Sequence, residues 1–399
     1  MYILTKSNSD VGASLREMIS QFLKDNGITA SAIASEIDIH RETLDKFIKG
    51  EGDLKFMHAV RMMKILGLTD GQLVSAYCRD LDSKQETSLD KLEQLSYAVR
   101  RFDIPVLKKI GIIPSRAKIE EYSSRICSFF GFSSIYEYDD TSLMPVLFSK
   151  SRRRVLEEKE AKMTEFWLKC AIGSFVKIDN PNDYDRDLLL QLVRRAYEFT
   201  RDESDGYYRF VLVLYQIGVT VLTQSYASGT KAYGGTIIIK GKPCIVITDM
   251  GKQYHKLWLS LLHELYHVIN DFELLETMNY HFTNRESPEM LLNEHKADEF
   301  AMNVLVSPEV RNNLNRLISF PARVNALSSR LGVSPSIIYG VYLESLQNGM
   351  QKSKMFSKFS SYLLSSDVAT ANLMFDPVRK KSLESAIDEI KHSLSRKIV

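Results

Sequence analysis

Two histidines four residues apart, His263 and His267, lie in the apolar run 257–269, and Glu264 directly follows the first. Residues four apart share one face of a helix, so both imidazoles can point at one metal ion. The carboxylate of Glu264 then projects beside them, where it can take a proton from an attacking water. This H-E-x-x-H spacing is typical of zinc-dependent peptide hydrolysis. The alternative is a core helix in which this H-E-x-x-H pattern occurs by chance, so the metal-site interpretation depends on a third ligand.

Glu294 is the predicted third ligand. A polar stretch, 270–288, precedes a second helical pattern over 291–301, in which Glu294 and Asp298 share one face. Two histidines and one glutamate leave a tetrahedral zinc ion with one open position for water. Asp298 can then accept the second ring N–H of a ligand histidine and fix its tautomer. The alternative is an exposed acidic pair on a surface helix. We expect one Zn²⁺ per chain, although this ligand set also suits Mn²⁺.

Length and composition indicate a globular protein of several domains. The chain has 399 residues, of which 44% are hydrophobic and 26% charged, which corresponds to about two to four domains. The net charge of +2 provides no whole-chain attraction to nucleic acid or membranes. The four cysteines form no C-x-x-C pair, and no apolar segment is long enough for a signal peptide or a membrane span. We therefore expect a cytoplasmic protein without a membrane partner.

The N-terminal segment predicts a compact helical unit. Capping residues and glycines divide it into four short helices: 14–26, 30–37, 40–48 and 56–66. A tight turn separates the second helix from the third, as a helix-turn-helix requires.

Residues 33–50 resemble the phage-repressor-like (XRE) helix-turn-helix family. The resemblance implies that the third helix enters the major groove of double-stranded DNA, with five side chains nearest the bases: His40, Arg41, Glu42, Thr43 and Lys46. Residues 1–80 carry 10 basic against 11 acidic residues, which is a weak electrostatic footprint for DNA. The alternative is a four-helix interaction or dimerisation module that keeps the fold without binding DNA.

A predicted hairpin precedes the histidine motif. Two β-branched strands, 236–240 and 243–248, are joined through Gly241 and Lys242. The sequence therefore predicts a mainly α protein with a small α+β, zincin-like catalytic domain. We expect four segments: a helix-turn-helix domain of four or five helices (1–80), a helical middle region (81–182), the catalytic domain (183–345) and a helical extension (346–399).

The motifs follow one another in a characteristic order: 234–239, 242–247, 263–267 and 294–301. This series resembles the ImmA/IrrE family of bacterial and phage metallopeptidases over roughly residues 185–345, and a fused N-terminal helix-turn-helix is common in that family. The resemblance implies zinc held by His263, His267 and Glu294, with Glu264 as general base. It also implies cleavage of a repressor or antitoxin that controls phage, mobile-element or stress-response genes. Tyr266 departs from the small residue frequent in the family, but it removes no ligand.

Peptide hydrolysis also needs a donor for the developing oxyanion. The candidates flank the motifs, and each could equally be a surface residue: Tyr280, His281, Arg285 and His295. The strand 236–239 offers backbone groups to which an extended substrate could add as a further strand. The alternative is an edge strand covered by its own domain.

Three further segments have less specific patterns. The basic cluster 150–154 is either a solvated helix end or a contact for phosphate or an acidic partner. Residues 326–340 resemble the helical lobe of the ImmA/IrrE family, where Ser334 caps and Pro335 opens the second helix; a protein contact or packing role is favoured over DNA recognition. The amphipathic segment 380–398 could form a homodimer contact or fold back.

The sequence motifs are compatible with three functions. The first, which we expect, is a zinc endopeptidase acting on a regulatory protein. The second is a DNA-binding transcription regulator or antitoxin whose peptidase-like domain is a sensor or inert. The third is a housekeeping peptidase. The complete set of ligands and base argues against an inert domain, and the helix-turn-helix pattern argues against general digestion.

Overall fold

The computed structural model describes residues 12–81, 83–139, 158–226, 234–278, 280–283, 294–346 and 349–396. In this part of the chain the protein is mainly helical, with one small mixed sheet. It divides into two compact units, residues 1–93 and 94–399. Within the described ranges, no helix combines the length and apolar character needed to cross a membrane.

The first unit is helical. Its helices are α1 (Leu15–Asn26), α2 (Ala30–Glu36), α3 (Arg41–Lys49), α4 (Phe56–Leu66), α5 (Asp70–Cys78) and the start of α6 (Ser83–Arg101). The first four match the predicted helices to within one residue at each end. Their ends follow from local chemistry: Ser14 and Glu17 form a capping box, and Gly27, Gly50 and Gly67 end three helices in the left-handed conformation.

The second unit contains the remaining helices in chain order: α7 (Ile104–Lys109), α8 (Tyr122–Phe130), α9 (Glu158–Ile178), α10 (Arg186–Arg194), α11 (Ala196–Phe199), α12 (Gly206–Gln216), α13 (Tyr254–Asn270), α14 (Phe272–Met278), α15 (Glu294–Leu305), α16 (Pro308–Arg311), α17 (Pro321–Leu331), α18 (Pro335–Ser345), α19 (Gly349–Phe359), α20 (Asp367–Thr370), α21 (Pro377–Lys380) and α22 (Leu383–Leu394). Short 3₁₀ turns occur at Ile119–Glu121, Ile135–Asp139, Leu314–Arg316 and Ser360–Tyr362. Ser334 caps α18 and Pro335 opens it, as predicted.

The sheet also lies in the second unit. Its strands are β1 (Thr220–Gln224), β2 (Gly234–Ile239), β3 (Lys242–Thr248), β4 (Tyr280–Thr283) and β5 (Met374–Phe375), in the order β4-β2-β3-β1-β5. The predicted hairpin is confirmed: β2 and β3 are antiparallel, with Ile237 opposite Cys244. Its turn lies one residue earlier than predicted, because Lys240 and Gly241 both have positive φ angles (51° and 73°). β1 is parallel to both β3 and β5.

One large core joins most elements of the second unit. A large cluster of buried side chains between residues 98 and 394 includes the sheet and the apolar side of α13, while α17, one side of α18 and the end of α19 contribute to a separate cluster. The last helix, α22, folds back onto α9 and β5 and buries its apolar face: Leu383, Ala386, Ile387, Ile390 and Leu394. For the segment 380–398, the two alternatives were a homodimer contact and folding back onto the protein. Within α22 the structure shows the segment folded back. Each leucine or isoleucine on that apolar face contributes about 1.5–3 kcal/mol when fully buried.

The N-terminal half of α13 is fixed by a close approach to α18. At Gly340 an added Cβ atom would lie 2.1 Å from Cγ of His255, so no larger residue fits without moving a helix. His255 is buried, with Nε2 4.0 Å from the carboxylate of Glu344. Its Nδ1 atom has no hydrogen-bond partner among the described residues.

Gly340→Ala should destabilise the protein by about 2 kcal/mol or more, because overpacking separates α13 from α18. Alanine is the better helix former by roughly 1 kcal/mol, so propensity alone predicts the opposite sign. The matched control is Gly173→Ala in α9, where the new Cβ would make an ordinary 3.5 Å contact with Leu383. Urea unfolding measures both free energies, and a Gly340→Ala protein as stable as the control would contradict this account.

Stability should also fall between pH 6.5 and 4 because of His255. Burial lowers the pKa of this imidazole from 6.5 to about 4, and Glu344 offsets the effect only in part. In that window the unfolded chain binds a proton that the folded chain excludes, so acid favours unfolding, by roughly 3 kcal/mol in total. Urea unfolding of wild type and His255→Asn at pH 7.5 and 4.5 tests this. The variant should lose less stability than wild type, and equal losses would rule out His255 as the cause.

Candidate metal centre

The helix α13 carries three ionisable residues on a buried surface. His263, Glu264 and His267 are 5%, 1% and 0% exposed. Leucines and Trp258 around them pack into the core of the second unit, so apolar burial fixes the helix and its polar residues together. Buried ionisable groups of this kind require partners. Each partner comes from a different part of the fold.

Glu294 meets the two histidines. It is the first residue of α15, which packs along α13. One carboxylate oxygen, Oε2, lies 3.2 Å from Nε2 of His263, and the other, Oε1, lies 3.5 Å from Nε2 of His267. The two Nε2 atoms are 3.3 Å apart. The structure therefore brings together the three residues predicted as metal ligands.

These distances fit a tetrahedral metal ion. With bonds of about 2.0–2.1 Å, neighbouring ligand atoms around tetrahedral zinc lie about 3.3 Å apart. The three observed separations, 3.2, 3.3 and 3.5 Å, are close to that value, and each histidine faces a different oxygen of Glu294. Three protein ligands leave a fourth position for a water or a substrate oxygen. The donor set therefore suits a catalytic divalent ion.

The outer nitrogen of each histidine has a carboxylate partner. Nδ1 of His263 lies 2.9 Å from Oδ1 of Asp298, and Nδ1 of His267 lies 2.8 Å from Oδ2 of Asp271. When Nδ1–H donates to a carboxylate, the Nε2 lone pair faces the ligand position. Asp298 was predicted for such a contact. Asp271 was missed, although its spacing of four residues after His267 was a usable signal.

The charges around His263 favour a cation in this centre. Burial lowers the pKa of its imidazole, but hydrogen bonds to Asp298 and Glu294 and the nearby charge of Glu264 outweigh burial and raise the pKa to about 10. The surrounding carboxylates thus stabilise positive charge at the point where the ligand atoms meet. A divalent ion would supply that charge in place of the proton.

Strand β2 positions Glu264. The hydroxyl of Thr236 donates to Oε2 of Glu264 at 2.7 Å. At Gly234 an added Cβ would lie 2.7 Å from Oε1 of the same carboxylate, so a larger residue there would displace the Glu264 carboxylate. The sequence indicated Gly234 and Thr236 as parts of an ordered motif series but assigned them no role. Their contact depends on how the sheet packs on α13.

The strand-addition hypothesis for 236–239 is wrong over its first half. β2 is hydrogen-bonded to β3 on one side, and residues 234–237 pair with β4 on the other. Both edges are therefore already occupied there, as in the alternative of a strand covered by its own domain. Of the residues that the structure describes, those of β4 lie at this border of the sheet.

The oxyanion donors stay predictions. Tyr280 and His281 belong to β4, and the register places the His281 backbone opposite Thr236, but their side chains lie outside the described part of the structure. Arg285 also lies outside the described residues. His295 is exposed beside Glu294. The unusual Tyr266 packs its ring against Phe300 of α15, with centroids 5.5 Å apart.

The predicted DNA-contact residues lie in the first unit, at the start of α3. All five are exposed: His40, Arg41, Glu42, Thr43 and Lys46. Two ion pairs join them to their own helix, Arg41 with Asp45 at 3.3 Å and Lys46 with Glu42 at 2.9 Å. These pairs reduce the positive charge available to phosphates. DNA binding stays a prediction, and the basic cluster 150–154 lies outside the described residues.

Comparisons with known proteins give no match: no protein-family model, no curated protein and no solved structure matches this chain. The resemblances to the ImmA/IrrE and XRE families therefore depend on the motifs alone. The arrangement of the metal centre is an independent observation, because it depends on the contacts of named side chains.

Asp271→Asn should weaken zinc binding about 10- to 100-fold, because it removes the carboxylate that orients His267. Asp298→Asn should have a smaller effect, since its side chain is 63% exposed against 21% for Asp271. The matched control is Asp388→Asn on the exposed side of α22. Competition with a chromophoric chelator measures the affinities. Equal affinity in wild type and Asp271→Asn would exclude the orienting role.

Proposed function

We propose that this protein is a zinc-dependent endopeptidase that cleaves a regulatory protein, a repressor or an antitoxin, and so controls gene expression. One observation carries the proposal: His263, His267 and Glu294 offer ligand atoms that all lie within 4.8 Å of one another, beside a buried carboxylate, Glu264, that a strand holds in place. The same side chains would serve little purpose as packing, because burying them is costly without a bound cation.

His263, His267 and Glu294 would hold the ion, which supplies the Lewis acidity that lowers the pKa of water and polarises a carbonyl. Glu264 takes a proton from the attacking water and passes it to the nitrogen of the departing amine. Thr236 restricts the rotation of the Glu264 side chain, so its carboxylate is oriented before substrate arrives. Asp271 and Asp298 keep both imidazoles in the ligating tautomer.

The choice of a regulatory protein as substrate follows from the resemblance to the ImmA/IrrE family and from the helical first unit. A second candidate is a DNA-binding transcription regulator or antitoxin whose peptidase-like part is a sensor or inert. The exposure of all five predicted contact residues on α3 favours DNA binding, and the two ion pairs on that helix disfavour it. Gel-shift titration of the full chain with upstream DNA at low, stated salt separates these cases; no shift would exclude DNA binding.

Glu264→Gln should lower proteolysis by about 10²- to 10⁴-fold, the usual contribution of a general base, while zinc content stays at one ion per chain. The matched control is Glu299→Gln, an exposed glutamate on α15. The substrates are the repressor or antitoxin encoded beside the gene and a proteome-derived peptide mixture. Cleavage is followed by mass spectrometry and zinc by elemental analysis. A chelator should abolish cleavage by wild type, and undiminished cleavage by Glu264→Gln would remove Glu264 from this role.

A further inference from the structure

A cavity of about 480 Å³ opens beside the candidate metal centre. Its walls include the end of β3, one face of α13, part of α15 and residues around the α18–α19 connection. Four lining residues follow the α13 face at helical spacing: Gln253, Lys256, Ser260 and Glu264. Lys256 and Glu264 are therefore separated by about 12 Å along the helix. An extended peptide spans that distance with about four residues.

The carboxylates that line this cavity are already engaged. Each has a hydrogen-bond or ion-pair partner: Glu264 with Thr236 (2.7 Å), Asp298 with His263 (2.9 Å), Glu344 with Lys352 (2.5 Å) and Asp249 with the backbone N–H of Tyr226 (2.6 Å). Their negative charge is thus partly compensated within the protein. A cationic ligand would have to compete with these contacts.

The two lining lysines differ in this respect. Lys352 forms the ion pair with Glu344, whereas Lys256 makes no ion pair or side-chain hydrogen bond with any residue of the described ranges. Lys256 is only partly exposed, and its Nζ lies near the turn after β3, 3.8 Å from an ideal Cβ position at Gly251. Among the described residues, a lysine ammonium without a partner therefore lies at the end of the cavity remote from Glu264.

We propose that Lys256 forms a subsite for an acidic side chain of the substrate, aspartate or glutamate, within about four residues of the cleaved bond. The inference rests on the proposed endopeptidase function and names one feature of its substrate. The ammonium of Lys256 donates to the carboxylate. Leu257 and Met250, which also line the cavity, contact the methylene carbons of the bound side chain.

The first test is the cleavage specificity of the zinc-loaded full chain on a proteome-derived peptide mixture. Wild type should favour Asp or Glu at one position within four residues of the cleaved bond, by about tenfold, as expected for a hydrogen bond between charged groups. Lys256→Met should lose this preference, Lys256→Arg should keep it, and Lys256→Glu should favour Lys or Arg instead. The matched control, Lys391→Met on the exposed side of α22, should behave as wild type.

A second test does not depend on cleavage. Glutarate should bind the metal-free full chain in ligand-detected NMR, its neutral diamide should bind at least about tenfold more weakly, and Lys256→Met should lose the difference. Cleavage without an acidic preference, or glutarate binding that is equal in wild type and Lys256→Met, overturns the subsite. Glutarate binding that requires Lys256, in a protein that cleaves nothing, supports the subsite and overturns the endopeptidase proposal instead.

Discussion

The structure of the second unit depends on the burial of three ionisable side chains that the apolar helix α13 carries. Leucines and Trp258 hold the helix against the sheet, and this packing carries His263, Glu264 and His267 away from water. Their burial is tolerated because the neighbouring elements supply a matching polar group for each: α15 for His263, β2 for Glu264 and the end of α13 for His267. Shifting any of these elements would leave a buried charge without its partner, which is more costly than losing an apolar contact.

Close approaches keep these elements in register. Gly234 lets β2 touch the carboxylate of Glu264, and Gly340 lets α18 pack directly on His255 near the start of α13. The two glycines act at opposite ends of the helix. One sets the position of the reacting groups, and the other sets the position of the helix turn that carries Lys256. The rise of α13 sets the distance between the metal centre and the lysine, and the two glycine contacts hold the neighbouring elements against its two ends.

Some of this could be predicted from the sequence, because it depends on local chemistry. Glycine caps fixed the ends of helices in the first unit, the hairpin followed from its turn, and the spacing of His263 and His267 indicated a shared helix face. The pairing of β4 with β2 could not be predicted, since β4 is a four-residue strand after a polar stretch without periodicity. The contact of Thr236 with Glu264 and the shared core of α9 and α22 depend on packing between residues far apart in the chain.

The two ends of α13 favour opposite charges. Peptide dipoles add partial positive charge at the start of a helix and partial negative charge at its end. His267 lies in the last turn, so the dipole there acts with Glu294 and Asp271 to stabilise a cation. Gln253 precedes the first residue of the helix and Lys256 lies in its first turn, so the dipole there acts with the ammonium to stabilise an anion. A peptide lying along this face would therefore present its carbonyl to the metal end and an acidic side chain to the other, so the polarity of one helix would favour both contacts at once.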